Sequence, residues 1–361
     1  MDFKQAIKDI KGADKAAIAT AREYCDTLIK PLGALGRLEE LAVRLSGVTG
    51  QVNNTFPKRV IVVMAADNGV YAEGVAAAPQ AFSRLQAVNM TRGVCGVSVF
   101  ARAAGADLVV VDIGLMDAPG ADAVLDMNVK RGTDNMAQGP AMTRGEAEAA
   151  INAGFDLAAG LFGQGFDILG TGEMGIANTT STSACAIALL GLAPELAVGR
   201  GAGLTDEALA NKIEVVRKAL AVNAPDGGDP LDVLSKVGGL DIAGLVGCYL
   251  AAAYCRKPVL IDGAISSVAA LIAARLSPAA KDFMVATHRS TEPSYEATIR
   301  ELGLTPFLDM EMRLGEGSGC ALAFPIIDAA CVMMNDMGTF ADIEFDDSVL
   351  VDIRDQENKE V

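Results

Sequence analysis

The feature that most constrains this chain is an alternation of short apolar runs with helix-like stretches. Runs rich in β-branched residues recur at 59–64, 107–112, 166–169, 257–261 and 282–286, each followed by a Gly- or Asp-containing turn and then an Ala-rich segment. None alternates strictly between polar and apolar residues, which is the pattern of strands buried on both faces. Strands alternating with helices predict an α/β fold with a parallel sheet and right-handed crossovers. A sixth run at 305–310 is weaker, because Pro306 cannot donate to a ladder. Ahead of the sheet, residues 1–48 read as helical. Phe3, Ala6, Ile7 and Ile10 recur at helical spacing, as do Leu38, Leu41, Ala42 and Leu45, with the turn residues of 31–36 between them. The acidic tail 340–361 is expected to fray beyond Val351.

Charge and composition remove several function classes. The net charge of −16 argues against nucleic-acid binding through a basic face. The seven cysteines are scattered, with no CxxC pair, and read as small buried residues in a reducing cytoplasm. Zinc needs clustered ligands, and the chain has one histidine, His288. The start of the sequence has no apolar signal core. The uncharged stretch 174–194 is rich in Asn, Thr, Ser and Gly in its first half, so it is not read as a membrane span. A cytoplasmic protein without membrane or nucleic-acid partners is expected.

Ligands of such a sheet sit beyond the carboxyl ends of the strands, and residues suited to chemistry follow the apolar runs. The segment 170–180 (GTGEMGIANTT) joins a strand to an Ala-rich helix. Its glycines and the hydroxyls of Thr179 and Thr180 suit a phosphate; a tight strand–helix turn with Ser/Thr capping is the other reading. It is neither a Walker A loop nor a dinucleotide fingerprint. A second Gly-rich turn, 199–204, leads into a helix at 205–222 capped by Thr205 and carrying Lys212. Lys212 reads either as a solvated lysine or as a phosphate ligand.

The sharpest signal is 315–319 (GEGSG), a glutamate set among glycines at the start of a long apolar helix. Glu316 reads either as a partner of the helix dipole or as a general base in a shaped apolar pocket, where desolvation raises a carboxyl towards neutrality. Glu173 is a second carboxylate of the same kind. His288 reads first as a structural hydrogen-bonder. Asp67 and Asp262 each follow a strand, as turn formers or as binders of a ribose hydroxyl.

These motifs, taken together, resemble the nicotinate-nucleotide–dimethylbenzimidazole phosphoribosyltransferase family. The resemblance is carried by 313–319 (RLGEGSG), 172–180 (GEMGIANTT), 235–239 (SKVGG), 73–75 (EGV), 86–93 (QAVNMTRG) and 31–39 (PLGALGRLE), and it runs over about residues 5–340. It implies transfer of phosphoribose from nicotinate mononucleotide to a cobamide lower-ligand base, with inversion and release of nicotinate. It implies Glu316 as proton acceptor and Glu173 as a second required carboxylate. Phosphate and ribose contacts fall on Gly175, Asn178, Thr179, Gly203, Lys212, Gly263 and Ser290, and the acceptor pocket on Ala78, Gln86, Met174 and Leu314. No metal or cofactor is implied, since no pyrophosphate leaves. The implied fold is a Rossmann-like parallel sheet flanked by helices (51–329) with a small helical domain from both termini (1–50 and 330–361). The family is dimeric, each partner helping to close the other's cavity.

Three positions depart from the family pattern. Asn68 replaces a usual histidine, Ala78 a usual serine near the acceptor pocket, and Ala177 a usual glycine. Loss of the hydroxyl at Ala78 favours a less polar acceptor. It raises an alternative: the branch of the family that attaches phenol or p-cresol through oxygen and works as two paralogous subunits.

Overall fold

The computed structural model describes residues 2–343 together with 345, 350, 352 and 354. Apart from those last two positions, the expected fraying beyond Val351 lies outside the described residues. Six strands form one parallel sheet: β1 (Arg59–Ala66), β2 (Asp107–Gly114), β3 (Val124–Asp126), β4 (Ile168–Met174), β5 (Val259–Ile261) and β6 (Met284–Ala286), in the order β3-β2-β1-β4-β5-β6. β1 is central, with Ile61 opposite Leu108 of β2 and Gly170 of β4. It is buried almost throughout, which accounts for its unbroken apolar sequence. The order turns back between β1 and β4, where an open α/β sheet leaves a crevice at its carboxyl edge.

Two expectations needed correction. The strand expected at 166–169 runs instead to Met174, so Gly170–Glu173 are strand residues and not a loop. The weaker run at 305–310 becomes β8 (Leu308–Met312). It pairs in parallel with β7 (His288–Ser290), outside the main sheet. Pro306 lies before that ladder, as its missing N–H requires.

The helices on the sheet pack at backbone distance. The helices Arg144–Gly163 and Leu240–Tyr254 approach so closely that a Cβ on Gly154 would collide with the Gly244 carbonyl. Among the described residues one helix, Ser318–Asp336, is long and apolar enough to cross a membrane, but 61% of its apolar window is buried within the protein, as in a core helix.

Contacts divide the chain into a sheet unit (1–11 and 58–322) and a helical unit (12–57 and 323–361). The division expected from the sequence placed residues 1–50 with the helical part. Here the first helix, Phe3–Asp9, goes with the sheet unit, where the Phe3 N–H donates to Asn152 Oδ1 at 2.9 Å. Within the helical unit, the helices Lys15–Thr27 and Arg37–Thr49 pack together. Lys30 and Glu39 form an ion pair of 3.1 Å there, with side chains 6% exposed.

Candidate active site

Every residue of the candidate site belongs to the sheet unit. Beyond the carboxyl ends of β4 and β5 lies a cavity of about 350 Å³. The loop 313–317 that follows β8 forms one wall. Gly315, Glu316 and Gly317 all have left-handed backbones, with φ of +78°, +65° and +95°. For the glutamate this costs about 1–2 kcal/mol, so the surroundings must enforce it.

Asp262, directly after β5, accepts the N–H groups of Gly317 at 3.0 Å and Gly319 at 2.7 Å. The Ser318 hydroxyl donates to the Gly315 carbonyl at 2.8 Å. The glycines are equally determined by space. A Cβ on Gly315 would collide with Glu173, and one on Gly319 with the His288 ring. From the other side, a Cβ on Gly172 would collide with the Glu316 carbonyl, so β4 needs its glycines for close packing under this loop. Phosphate contact is not what Gly170 and Gly172 serve.

The Glu316 side chain is buried and points across the cavity to two donors. Gln86 Nε2 lies 2.8 Å from Oε1, and the Val97 N–H lies 3.2 Å from Oε2. Val97 is in the first turn of the helix Gly96–Ala103. The carboxylate therefore sits at the N-terminus of that helix, and the dipole it meets belongs to a different helix from the one Glu316 precedes.

Glu173, near the end of β4, forms the floor. Asn178 Nδ2 donates to both Glu173 Oε2 and Asp241 Oδ2, the latter at 2.9 Å. The Glu316 N–H approaches Glu173 Oε1 at 3.5 Å. Burial, then the charge of Asp241, pushes Glu173 up to about 8. It holds its proton at neutral pH. Burial raises Asp262 to about 7 against the backbone N–H groups that oppose it. His288 is lowered by burial to about 4 and is neutral. It lines the cavity 3.8 Å from Asp262 Oδ1.

The opposite end is cationic. Lys212 is fully buried and donates to Thr179 Oγ1 at 2.7 Å and to the Gly199 carbonyl at 3.0 Å. This is not a solvated lysine. Burial lowers it to about 8, opposed by Glu292, whose Oε1 accepts the Gly201 N–H at 3.0 Å. An adjoining hollow of about 70 Å³ brings Lys212 together with Arg200, Gly201 and the start of the helix Asn178–Leu190. Thr205 caps the Lys212-bearing helix Asp206–Asn223 as expected, accepting the Ala208 N–H at 3.3 Å.

Of the residues expected to bind phosphate and ribose, Gly175, Asn178, Thr179, Gly263 and Ser290 line the main cavity and Lys212 the adjoining hollow. Gly203 lines neither. It is an exposed turn residue with open space around it, and Gly201 and Ala202 take the wall instead. Ala78, Gln86, Met174 and Leu314, expected to form the acceptor pocket, all line the main cavity. Asp67 and Asp262 do not line the cavity: Asp67 ties the Met116 N–H at 3.0 Å, and Asp262 anchors the Glu316 loop.

The sequence reading missed Phe82, Glu292 as a loop partner, and Asp241. Phe82 lies one helical turn before Gln86 in the helix Ala81–Thr91, so the two share a face. Asp241 is the only charged residue in the helix Leu240–Tyr254, a signal the sequence did offer. The arrangement suits an anionic group at the Lys212 end, a flat apolar molecule at the Gln86 end, and proton transfer at Glu316 between them.

The model of a phosphoribosyltransferase family matches residues 10–344. The nicotinate-nucleotide–dimethylbenzimidazole phosphoribosyltransferase of Acetivibrio thermocellus is 46% identical over 338 residues, covering 94% of this chain and 96% of that one. The protein of the same name from Escherichia coli is also 46% identical over 338 residues, with 93% and 94% covered. Among solved structures, CobT from Thermus thermophilus superposes with a TM-score of 0.88 at 41% identity, over 92% of this chain and 99% of that one.

Proposed function

We propose that this chain, which belongs to the nicotinate-nucleotide–dimethylbenzimidazole phosphoribosyltransferase family, transfers phosphoribose from nicotinate mononucleotide to dimethylbenzimidazole in cobamide assembly. The observation that carries the mechanism is Glu316: a buried carboxylate held in an enforced backbone conformation and aimed into the cavity between an apolar and a cationic end. The donor phosphate sits at the Lys212 and Thr179 end. The bond from the anomeric carbon to nicotinate breaks, its electron pair returning to the pyridine nitrogen. Positive charge develops on the ribose, as in glycoside chemistry. One imidazole nitrogen of the acceptor attacks from the opposite face, and the proton on its other nitrogen passes to Glu316. Glu173 borders the ribose. Ala78, Phe82, Met174 and Leu314 give the acceptor an apolar slot beside Gln86.

The alternative acceptors, phenol and p-cresol, are not favoured: the relatives named above carry the dimethylbenzimidazole name. A homodimer is the proposed assembly. Leu314 is 55% exposed and Phe82 39% exposed at the cavity rim, apolar surface that a second copy would cover. The proposed location is the cytoplasm. The test is nicotinate release from nicotinate mononucleotide with dimethylbenzimidazole, adenine, phenol or p-cresol as acceptor. Release with dimethylbenzimidazole, lost in Glu316→Gln, supports the reading. Release with none of them in the purified protein overturns it.

A further inference from the structure

Asp241 lies in the first turn of its helix, where an acid commonly serves that helix's own N–H groups. It does so with one oxygen only: Oδ1 takes the Ile242 N–H at 3.0 Å. Oδ2 faces away and takes Asn178 Nδ2, the same nitrogen that binds Glu173 Oε2. A single amide group therefore bridges two buried carboxyls, one beneath the cavity and one behind it. Both hydrogens of that amide are used, so its orientation is fixed. Asp241 does not line the cavity and cannot touch a substrate there.

We propose that Asp241 is a positioning residue of the transfer: through Asn178 it fixes the Glu173 side chain, and its charge keeps the proton on Glu173 during turnover. The proposal rests on the phosphoribosyl-transfer reading above. Asn178 Nδ2 holds Oε2 closely, whereas the Glu316 N–H reaches Oε1 only at 3.5 Å, so the weaker-held Oε1, beside the Glu316 loop, is where the proton sits. Protonated Glu173 donates a hydrogen bond to a ribose oxygen, whereas an ionised Glu173 only accepts. Asp262 adds to the burial that raises Glu173, which favours the proton there; Asp67 adds to the burial that raises Asp241 to about 6, so Asp241 carries its charge only above that pH. The Glu316 N–H opposes them at Glu173, and Asn178 opposes them at both acids. Cys185 faces Asp241 from the helix Asn178–Leu190 and is held as a thiol by burial.

The test is kcat against pH at saturating nicotinate mononucleotide, with the donor phosphate bound so that Lys212 keeps its charge. The wild-type profile falls where Glu173 ionises, near about 8. Asp241→Asn keeps an acceptor for Asn178 but removes the charge. Its alkaline limb moves to lower pH by about one unit, the effect of one nearby charge. Glu173→Gln removes the limb. An Asp241→Asn profile lowered evenly, with its limb unmoved, describes a merely structural residue and overturns the proposal. If Asp241→Asn does not fold, Asp241→Ser replaces it. The infrared difference between wild type and Glu173→Gln reads the same proton without turnover: at pH 7 the wild type carries a protonated-carboxyl band that the variant lacks, beyond the contribution of Asp262, itself raised to about 7 in both. Absence of that difference at pH 7 overturns the proposal. A wild type that shows the band but transfers nothing overturns the reaction instead.

Discussion

The two glycine-rich walls of the cavity look alike in sequence and differ in what their glycines do. In the Glu316 loop, glycines stand where a side chain has no room: Gly315 against Glu173, and Gly319 against His288. Asp262 then ties the loop from below. In the Gly199–Leu204 turn the crowding is confined to its start: a Cβ on Gly199 would collide with Glu292 and one on Gly201 would press on the Thr179 hydroxyl that Lys212 holds, whereas one on Gly203 would meet nothing within 4 Å. The first wall is a rigid mount for the proposed base. The second is a turn whose polar groups surround a buried cation. Positioning a proton acceptor demands fixed geometry, while a phosphate is satisfied by charge and several donors.

The comparison breaks most visibly at Glu316. Glu316→Gln keeps the shape and an acceptor for Gln86 but cannot take a proton. A drop in kcat of roughly 10²–10⁴ is expected, the range for a lost general base, with little change in affinity for nicotinate mononucleotide. Steady-state kinetics and calorimetric titration check both. A tenfold loss of donor affinity with kcat intact would make Glu316 a binding residue.

Next come paired glycine substitutions, one in each wall. Gly319→Ala drives a methyl group into His288 and is expected to destabilise the fold by about 1–3 kcal/mol, as overpacking does, and to lower kcat by shifting the Glu316 loop. Gly203→Ala has space but sits at φ of +111°, beyond the left-handed helical region, and costs about 1–3 kcal/mol in backbone strain, while kcat stays near wild type. Denaturant midpoints and kcat for the two proteins check the contrast. Equal loss of kcat in both would erase the distinction between the walls.

Lys212 tests the cationic end. Lys212→Met is expected to raise KM for nicotinate mononucleotide roughly ten- to hundredfold, since a charge-assisted hydrogen bond contributes about 1.5–3 kcal/mol, with a smaller change in kcat. The pH dependence follows from burial. Burial lowers Lys212 to about 8, so without a bound phosphate it is charged below that pH and loses its charge above it. In the wild type kcat/KM for the donor therefore falls as pH rises through about 8. In Lys212→Met the part of that fall carried by KM disappears. A KM that stays flat across this range in the wild type contradicts the assignment.

The parallel sheet was legible because buried strands carry unbroken apolar sequence. β3, with three residues, was too short to register, and β7 consists of His288, Arg289 and Ser290, with no apolar run to mark it. The extension of β4 through Gly170–Glu173 was hidden for a physical reason. A strand under a tightly packed loop needs glycine, and glycine reads as a turn. Glu316 and Glu173 stood out because glutamate among glycines has no packing role. Asp241 did not, because an acid in the first turn of a helix looks like a dipole partner. Its bond to Asn178, distant in sequence, exists only in the fold. Gly203 was assigned by motif position, and its neighbours at 201 and 202 face the cavity instead.

The smallest expected effect is at Ala177, where this chain departs from the glycine usual in the family. Ala177 caps the helix Asn178–Leu190 at the cationic end with φ of +74° and no side-chain cap. A methyl group in the left-handed region costs about 1–2 kcal/mol, offset by the greater backbone freedom that glycine loses on folding, about 0.5–1 kcal/mol. Ala177→Gly is therefore expected to stabilise the protein by a few tenths of a kcal/mol to about 1 kcal/mol, a rise in Tm of at most about 2 °C for a chain of this size. The donor KM stays unchanged, because the backbone already holds the conformation glycine prefers. A calorimetric scan decides the sign. A fall in Tm means that the Ala177 methyl gains more from packing, at 7% exposure, than its backbone loses in strain. The cationic wall would then be held by side-chain contact after all, as the Glu316 wall is.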